Sequence, residues 1–237
     1  MSENICENLK RINDEISLAL TKSKYNQNVK LCAVSKFHPY TDVLNAIESN
    51  QFLFGENRVQ EAAEKFTVVR ESLKEKNINI ELHIIGQLQS NKVKKACEIC
   101  DCIESVDRSS LVEEIEKQCT KLNKTMKVFL EIHTGEDSKS GFTDLQEVYA
   151  LCDSFVENKY PHITVCGLMT MAPFTDDEKL IRKSFSTLRE FKSELNTKYP
   201  SLPITELSMG MSGDYKIAIE EGATIVRIGT AIFGERK

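Results

Sequence analysis

Residues 204–234 read ITELSMGMSGDYKIAIEEGATIVRIGTAIFG: two apolar, β-branched runs, each followed by a glycine-containing turn and a short stretch of helical spacing. A repeated strand, turn and helix implies parallel strands covered on their outer face. The alternation extends back along the chain. Apolar runs stand at KLCAVSK (30–36), FLFGE (52–56), ELHIIG (81–86), CIESV (102–106), MKVFLEI (126–132) and ITVCGLM (163–169), and ITELSM (204–209) and TIVRIG (224–229) bring the number to eight. Between them lie charged stretches with apolar residues at helical spacing, among them NRVQEAAEKFTVVRESLKEK, LVEEIEKQCTKLNK and DDEKLIRKSFSTLREFKSELNTK. Eight strand–helix units in 237 residues predict an α/β protein, a single (β/α)8 TIM barrel; a doubly wound sheet is the alternative. Residues 1–25 read as an extra leading helix, running from Glu3 to about Lys24, and these elements together use the whole of 1–237 as one domain.

Composition narrows the function classes. Lys and Arg number 31 against 36 Asp and Glu, a formal net charge of −5, which argues against a nucleic-acid partner, because phosphate neutralisation needs concentrated cations. No run of 18 apolar residues is available to span a membrane. The start, MSENICENLKRINDE, is polar and acidic and fits neither a secretory signal nor an Arg-rich transit peptide, so a cytoplasmic location is expected. In that setting the eight cysteines read as free thiols. Cys32 and Cys166 sit in apolar runs as small hydrophobes. The cluster of Cys97, Cys100 and Cys102 resembles half a metal site but lacks a fourth ligand at the usual spacing, so it reads as a helix end entering a strand, and no metal is expected.

In a barrel, function belongs to strand ends and the loops after them. Lys36 closes the first apolar run, and a partly desolvated lysine there favours the neutral amine, a nucleophile that forms Schiff bases with carbonyls. Snorkelling surface lysine is the bland alternative. After the last two strands come Gly210-Met211-Ser212-Gly213 and Gly229-Thr230, where glycines let backbone N–H groups approach an anion. Ser208, Ser212 and Thr230 add hydroxyl donors. Strands 1 and 8 pair at closure, so a phosphate site and the lysine become neighbours. Pyridoxal 5′-phosphate, with a phosphate and an aldehyde, satisfies both. Arg227 on strand 8 then falls under the ring, where a guanidinium donates to the pyridine nitrogen and cannot lose its proton. Without a cofactor, Arg227 reads as an ion-pair partner of an inward acid such as Glu131 or Glu206.

The motifs AVSK, FGENRVQE, HIIGQLQSNK, GEDSKSG, GLMTMAP and LSMGMSGDY…ATIVRIGTAIFG resemble those of the pyridoxal phosphate homeostasis proteins. These are single-domain relatives of the alanine racemase barrel, also called the proline synthetase co-transcribed family. The resemblance covers about residues 30–234 and implies a barrel binding pyridoxal phosphate as an internal aldimine. By that resemblance Lys36 matches the Schiff-base lysine, Arg227 the arginine at the pyridine nitrogen, and Ser208, Ser212, Gly229 and Thr230 the phosphate-binding groups. Asn57 and His83 match residues near the ring. Leu82 and Gln87 depart from the pattern, where members often carry Trp and Pro.

Among other candidates, Asn57 reads also as a helix cap and His83 as a core histidine. His133 sits at the mouth or in a loop, His38 and His162 lie in turns beside prolines, and 135–141 forms a mobile rim loop. Beside a barrel that binds a different phosphorylated metabolite, with Lys36 pairing a carboxylate and forming no Schiff base, two functions stand. One is a protein that buffers or delivers pyridoxal phosphate, transferring it to apo-enzymes without strong catalysis. The other is an amino-acid racemase or related carbanion enzyme, which needs acid–base groups on both faces of the substrate carbon. In the two-domain racemases the second base is a tyrosine from a further domain; here only Tyr40 and Tyr215 are placed to reach the mouth, which favours the carrier. Amino acids are possible additional ligands, and a monomer or weak dimer is expected.

Overall fold

A computed structural model describes residues 5–135 and 140–235. Eight strands close into a barrel in sequence order: β1 (Lys30–Val34), β2 (Leu53–Glu56), β3 (Glu81–Ile84), β4 (Cys102–Val106), β5 (Met126–Glu131), β6 (Ile163–Met169), β7 (Glu206–Ser208) and β8 (Ile225–Ile228). All neighbours are parallel, and β1 closes on β8 with Cys32 opposite Arg227 and Ala33 opposite Ile228. This is the predicted (β/α)8 arrangement, and the weakest expected strand, CIESV, is present over its whole predicted length.

The leading helix α1 (Ile5–Leu20) ends before the expected Lys24, and the expected start at Glu3 lies outside the described residues. It buries Ile5, Leu9, Ile12, Ile16 and Ala19, one face at three- and four-residue spacing. Helices α2 (Tyr40–Glu48), α3 (Val59–Leu73), α4 (Val93–Ile99), α5 (Ser109–Leu122), α6 (Leu145–Val156) and α7 (Glu178–Lys198) follow the first six strands. The short helices α8 (Tyr215–Glu220) and α9 (Thr230–Phe233) follow the last two. Asn8 donates to the Ile232 carbonyl at 3.0 Å, and the Tyr215 hydroxyl donates to Glu15 at 2.5 Å, which ties α1 to both. Tyr215 is therefore committed to α1 and is not at the mouth. No described helix is long and apolar enough to cross a membrane.

Side chains alternate along each strand, which separates the buried apolar side chains into two groups. The larger lies between sheet and helices. The smaller, Cys32, Cys102, Phe129, Met169 and Ile225, forms a separate cluster on the inward-facing parity. Most strands end one or two residues before their apolar runs do. In particular β1 stops at Val34, and Lys36 lies in the turn beyond it, because Phe37 takes a left-handed φ of 67° that breaks the ladder.

Cys97, Cys100 and Cys102 occupy the end of α4 and the start of β4 as expected, and all three are buried. Cys97 faces Cys119 of α5 at 3.8 Å between sulfurs. Among the described residues no three His, Cys, Asp or Glu side chains are grouped to hold a metal ion.

Candidate functional site

A cavity of about 520 Å3 opens at the C-terminal ends of the strands. Its wall is built from the loops after β1, β2, β6, β7 and β8, with Val34, Ile85 and the β8 side chain of Arg227 facing it from the strand ends. Of the residues singled out from sequence, Lys36, Asn57, Ser212, Arg227, Gly229 and Thr230 line this one cavity. Closure of β1 on β8 brings them together: Lys36 and Gly229 each lie just past a strand that pairs with the other. Asn57 precedes Arg58, the N-cap residue of α3, and that cap makes no side-chain hydrogen bond. The expected capping role is absent, and Asn57 faces the cavity instead.

His83, Ser208 and Gly210 stand behind the wall. Arg227, only 4% exposed, donates through Nη1 to the Ser208 hydroxyl at 2.7 Å and through Nη2 to the Thr170 carbonyl at 2.8 Å. Ser208 in turn donates to Glu104 Oε2 at 2.5 Å, and Glu104 Oε1 meets His83 Nδ1 at 2.5 Å. The other ring nitrogen, Nε2, lies 3.3 Å from Glu81 Oε1, within ion-pair reach but off hydrogen-bonding geometry. A continuous polar chain thus runs from the cavity wall through the barrel interior to β3.

The electrostatics of this chain follow from burial opposed by charge. Burial disfavours the His83 cation, but the hydrogen-bonded Glu104 and the nearby Glu81 carboxylate outweigh it and lift the imidazole to about 9. Burial likewise opposes ionisation of Glu104, yet His83 and Arg227 hold its carboxyl below the ordinary range. Chiefly through the approach of His83, Glu81 is drawn down to about 2. The inward acid that pairs with Arg227 is therefore Glu104, with Nη1 at 4.0 Å, and not Glu131 or Glu206. Glu206 pairs with Lys30 at 2.8 Å, and Glu131 accepts from Ser140 at 2.5 Å while burial pushes its carboxyl up.

Sequence reasoning missed Glu104. The available signal was a carboxylate on the same parity as Cys102, in the middle of an otherwise apolar run. A buried charge survives there only with a partner.

The two turns after β7 and β8 differ in what their glycines do. Gly210 has φ of 94°, and a Cβ there would lie 2.5 Å from Ala218 Cβ, so packing and backbone both demand glycine. Gly213 lines the cavity, its φ lies outside the left-handed region, and an added Cβ would meet nothing within 4 Å. Nothing in the fold itself calls for glycine at 213; a ligand approaching the backbone would. The Ser212 and Thr230 hydroxyls sit exposed at the same opening. Asp214 closes the first turn by accepting the Met211 N–H at 2.5 Å, and burial pushes its carboxyl up.

The remaining candidates fall as follows. His38 lines the cavity, 3.4 Å from Asp42. The ring of His162 sits 2.7 Å from Glu116, on the side of the barrel away from the mouth. His133 is half-buried, and its backbone N–H donates to the Phe142 carbonyl at 3.0 Å. Of the expected rim loop, residues 136–139 lie outside the described residues. Among the described residues no tyrosine lines the cavity, Tyr40 and Tyr215 included.

Comparison with known proteins places the fold and the family. The family described as alanine racemase, N-terminal domain, matches residues 8–237. The pyridoxal phosphate homeostasis protein of Aquifex aeolicus is 38% identical over 235 residues, covering 99% of both chains. Its counterpart in Escherichia coli K12 is 35% identical, covering 98% of this chain and 97% of the relative. The structure of PipY from Synechococcus elongatus with PLP bound superimposes with a TM-score of 0.82 at 33% identity, covering 97% of this chain and all (100%) of that one. Alanine racemase of Clostridium difficile shares the fold at a TM-score of 0.70 and 16% identity, covering 98% of this chain and 56% of that chain. With this degree of identity over nearly its full length, the chain belongs to the pyridoxal phosphate homeostasis protein family.

Proposed function

We propose that this chain binds pyridoxal 5′-phosphate in the cavity at the barrel mouth, holds it as a Schiff base on Lys36, and serves intracellular pyridoxal phosphate homeostasis by buffering and delivery to apo-enzymes. The carrying observation is that one cavity collects an amine, a guanidinium and a glycine turn with exposed hydroxyls, the chemistry that an aldehyde, a pyridine nitrogen and a phosphate require. Lys36 would supply the amine, Arg227 the donor to the ring nitrogen, and Ser212, Gly213, Gly229 and Thr230 the phosphate contacts. Gly213 supports the fit, because its missing side chain leaves the backbone open to a ligand approaching from the cavity.

When bound, pyridoxal phosphate can serve as an electron sink for carbanion chemistry. This chain's residues favour holding over turnover. Arg227 carries a proton it cannot give up, so its hydrogen bond leaves the ring nitrogen unprotonated. Ser208 and the Thr170 carbonyl fix the guanidinium plane at two points, and Glu104 balances its charge. Racemisation needs a second acid–base group opposite Lys36, and no tyrosine among the described residues lines the cavity.

Borohydride reduction of the full chain incubated with pyridoxal phosphate, followed by peptide mass spectrometry, tests the assignment. Modification at Lys36, lost in Lys36→Ala, is expected; modification elsewhere with Lys36 intact overturns it. Racemisation of single L-amino acids at about 1 s⁻¹ or faster would replace the carrier reading with the racemase.

A further inference from the structure

Besides His83, two cationic side chains are buried among the described residues: Arg227 on the cavity wall, and Lys65 of α3, whose side chain is 6% exposed. Lys65 lies on the helix side of the barrel wall. Strand alternation places Val34 and Lys36 toward the cavity and Ser35 away from it, and it likewise separates Asn57 from Glu56. In that outer layer the Lys65 ammonium donates to the Ser35 carbonyl at 2.6 Å, to Glu56 Oε1 at 2.8 Å and to Glu61 Oε1 at 3.0 Å. Ser35 Oγ donates to the same Glu56 oxygen at 2.6 Å. The Phe37 N–H donates to the same Glu61 oxygen at 2.5 Å.

The residues on both sides of Lys36 are therefore held by one ammonium and its two carboxylates. We propose that Lys65, acting through Glu56 and Glu61, is the positioning residue for Lys36: it clamps Ser35 and Phe37 and so aims the Lys36 amine for attack on an aldehyde carbon. This inference rests on the assignment of Lys36 above.

Two physical points carry it. Desolvating an ammonium is costly, and a buried ion pair is often no more stable than an apolar replacement of its size, so its presence here serves geometry better than stability. Phe37 holds a left-handed φ of 67°, unfavourable for a side chain of its size, and the Glu61 carboxylate binds its N–H in that conformation. A lysine side chain has several rotatable bonds; fixing its Cα on both sides removes the freedom that most dilutes the amine at the point of attack. In that attack the amine nitrogen bonds to the aldehyde carbon, both amine protons pass to the carbonyl oxygen, and the C–O bond breaks to release one water as the C=N bond forms.

Three measurements on the full chain test the clamp. Stopped-flow absorbance follows covalent capture of pyridoxal phosphate, and pyridoxine 5′-phosphate, which lacks the aldehyde, reports non-covalent binding in the same cavity. Lys65→Met and Glu61→Ala are each expected to slow capture about tenfold or more while changing pyridoxine 5′-phosphate affinity by about twofold at most. Lys65→Arg, which keeps the charge, is expected to restore most of the rate. Hydrogen exchange of the Phe37 and His38 amides without any ligand should quicken in Glu61→Ala. That variant keeps the Lys65–Glu56 pair and so guards against a Lys65→Met chain that does not fold.

Capture at the parent rate in Glu61→Ala, or an equal loss of pyridoxine 5′-phosphate binding, overturns the proposal. If the parent chain captures nothing at Lys36, the assignment of Lys36 itself has failed. In that event faster exchange in Glu61→Ala would still show a clamp, one with some other purpose.

Discussion

Arg227 and Glu104 approach to 4.0 Å inside the barrel, with the Ser208 hydroxyl between them, accepting from the guanidinium and donating to the carboxylate. One face of Arg227 is thereby fixed from within the protein while the side chain still reaches the cavity wall. Replacing it with an apolar residue leaves Glu104 buried with only His83 as a charged partner.

Arg227→Met is accordingly expected to cost about 3–5 kcal/mol of stability, the usual penalty for breaking one side of a buried pair. Arg227→Lys should cost less but not nothing, since a single ammonium cannot reproduce the two-point contact to Ser208 and Thr170. Urea denaturation measures both; a loss for Arg227→Met below about 1 kcal/mol would show that the pair behaves like a surface one.

His83 makes stability fall at high pH. Its folded value of about 9 lies above the ordinary 6.5, so its contribution is complete below about pH 6.5 and is lost as pH rises through 9. The full effect is about 3 kcal/mol. His83→Gln should remove that slope, leaving the difference between the two chains to shrink between pH 7 and 9.5. Parallel stability curves for the two would refute the coupling to Glu104 and Glu81.

The two glycines of the β7 turn should separate folding from binding. Gly210→Ala forces a side chain into φ of 94° and against Ala218, and destabilises by about 1–3 kcal/mol. Gly213→Val meets nothing within 4 Å and leaves the melting temperature nearly unchanged. Its affinity for pyridoxal phosphate should fall about tenfold or more, in line with loss of a backbone hydrogen bond to a charged group. Unaltered affinity in Gly213→Val would remove that turn from the phosphate site.

Thiol labelling checks the interior. Of the cysteines only Cys6 is exposed, and burial lifts Cys100 and Cys152 to about 12. The folded chain should release about one rapid equivalent with an aromatic disulfide reagent, and the rest only on unfolding. Rapid release from Cys97 or Cys119 would contradict the packing of α4 on α5.

How much of this was legible beforehand depends on what each feature needs. Continuous apolar runs alternating with helical spacing sufficed for the barrel, and β1–β8 closure follows from counting eight of them. Lys36, Ser212, Gly213, Gly229 and Thr230 were legible because a strand end and the turn after it are local in the chain. Facing is local as well, which is why Arg227 could be placed inward.

Which side chains meet inside a closed barrel is not local. Ser208 and Glu104 are 104 residues apart, and their contact depends on strand tilt and on the register shift in β4–β5 pairing. The same holds for Lys65, one of several charges in a stretch of helical spacing, which α3 packing places under the turn that carries Lys36. Sequence alone determined the scaffold and the wall of the cavity. Only tertiary structure decided the polar chain behind Arg227 and the clamp behind Lys36, because buried charges choose partners by three-dimensional proximity, and alternation along a strand specifies a direction without a distance.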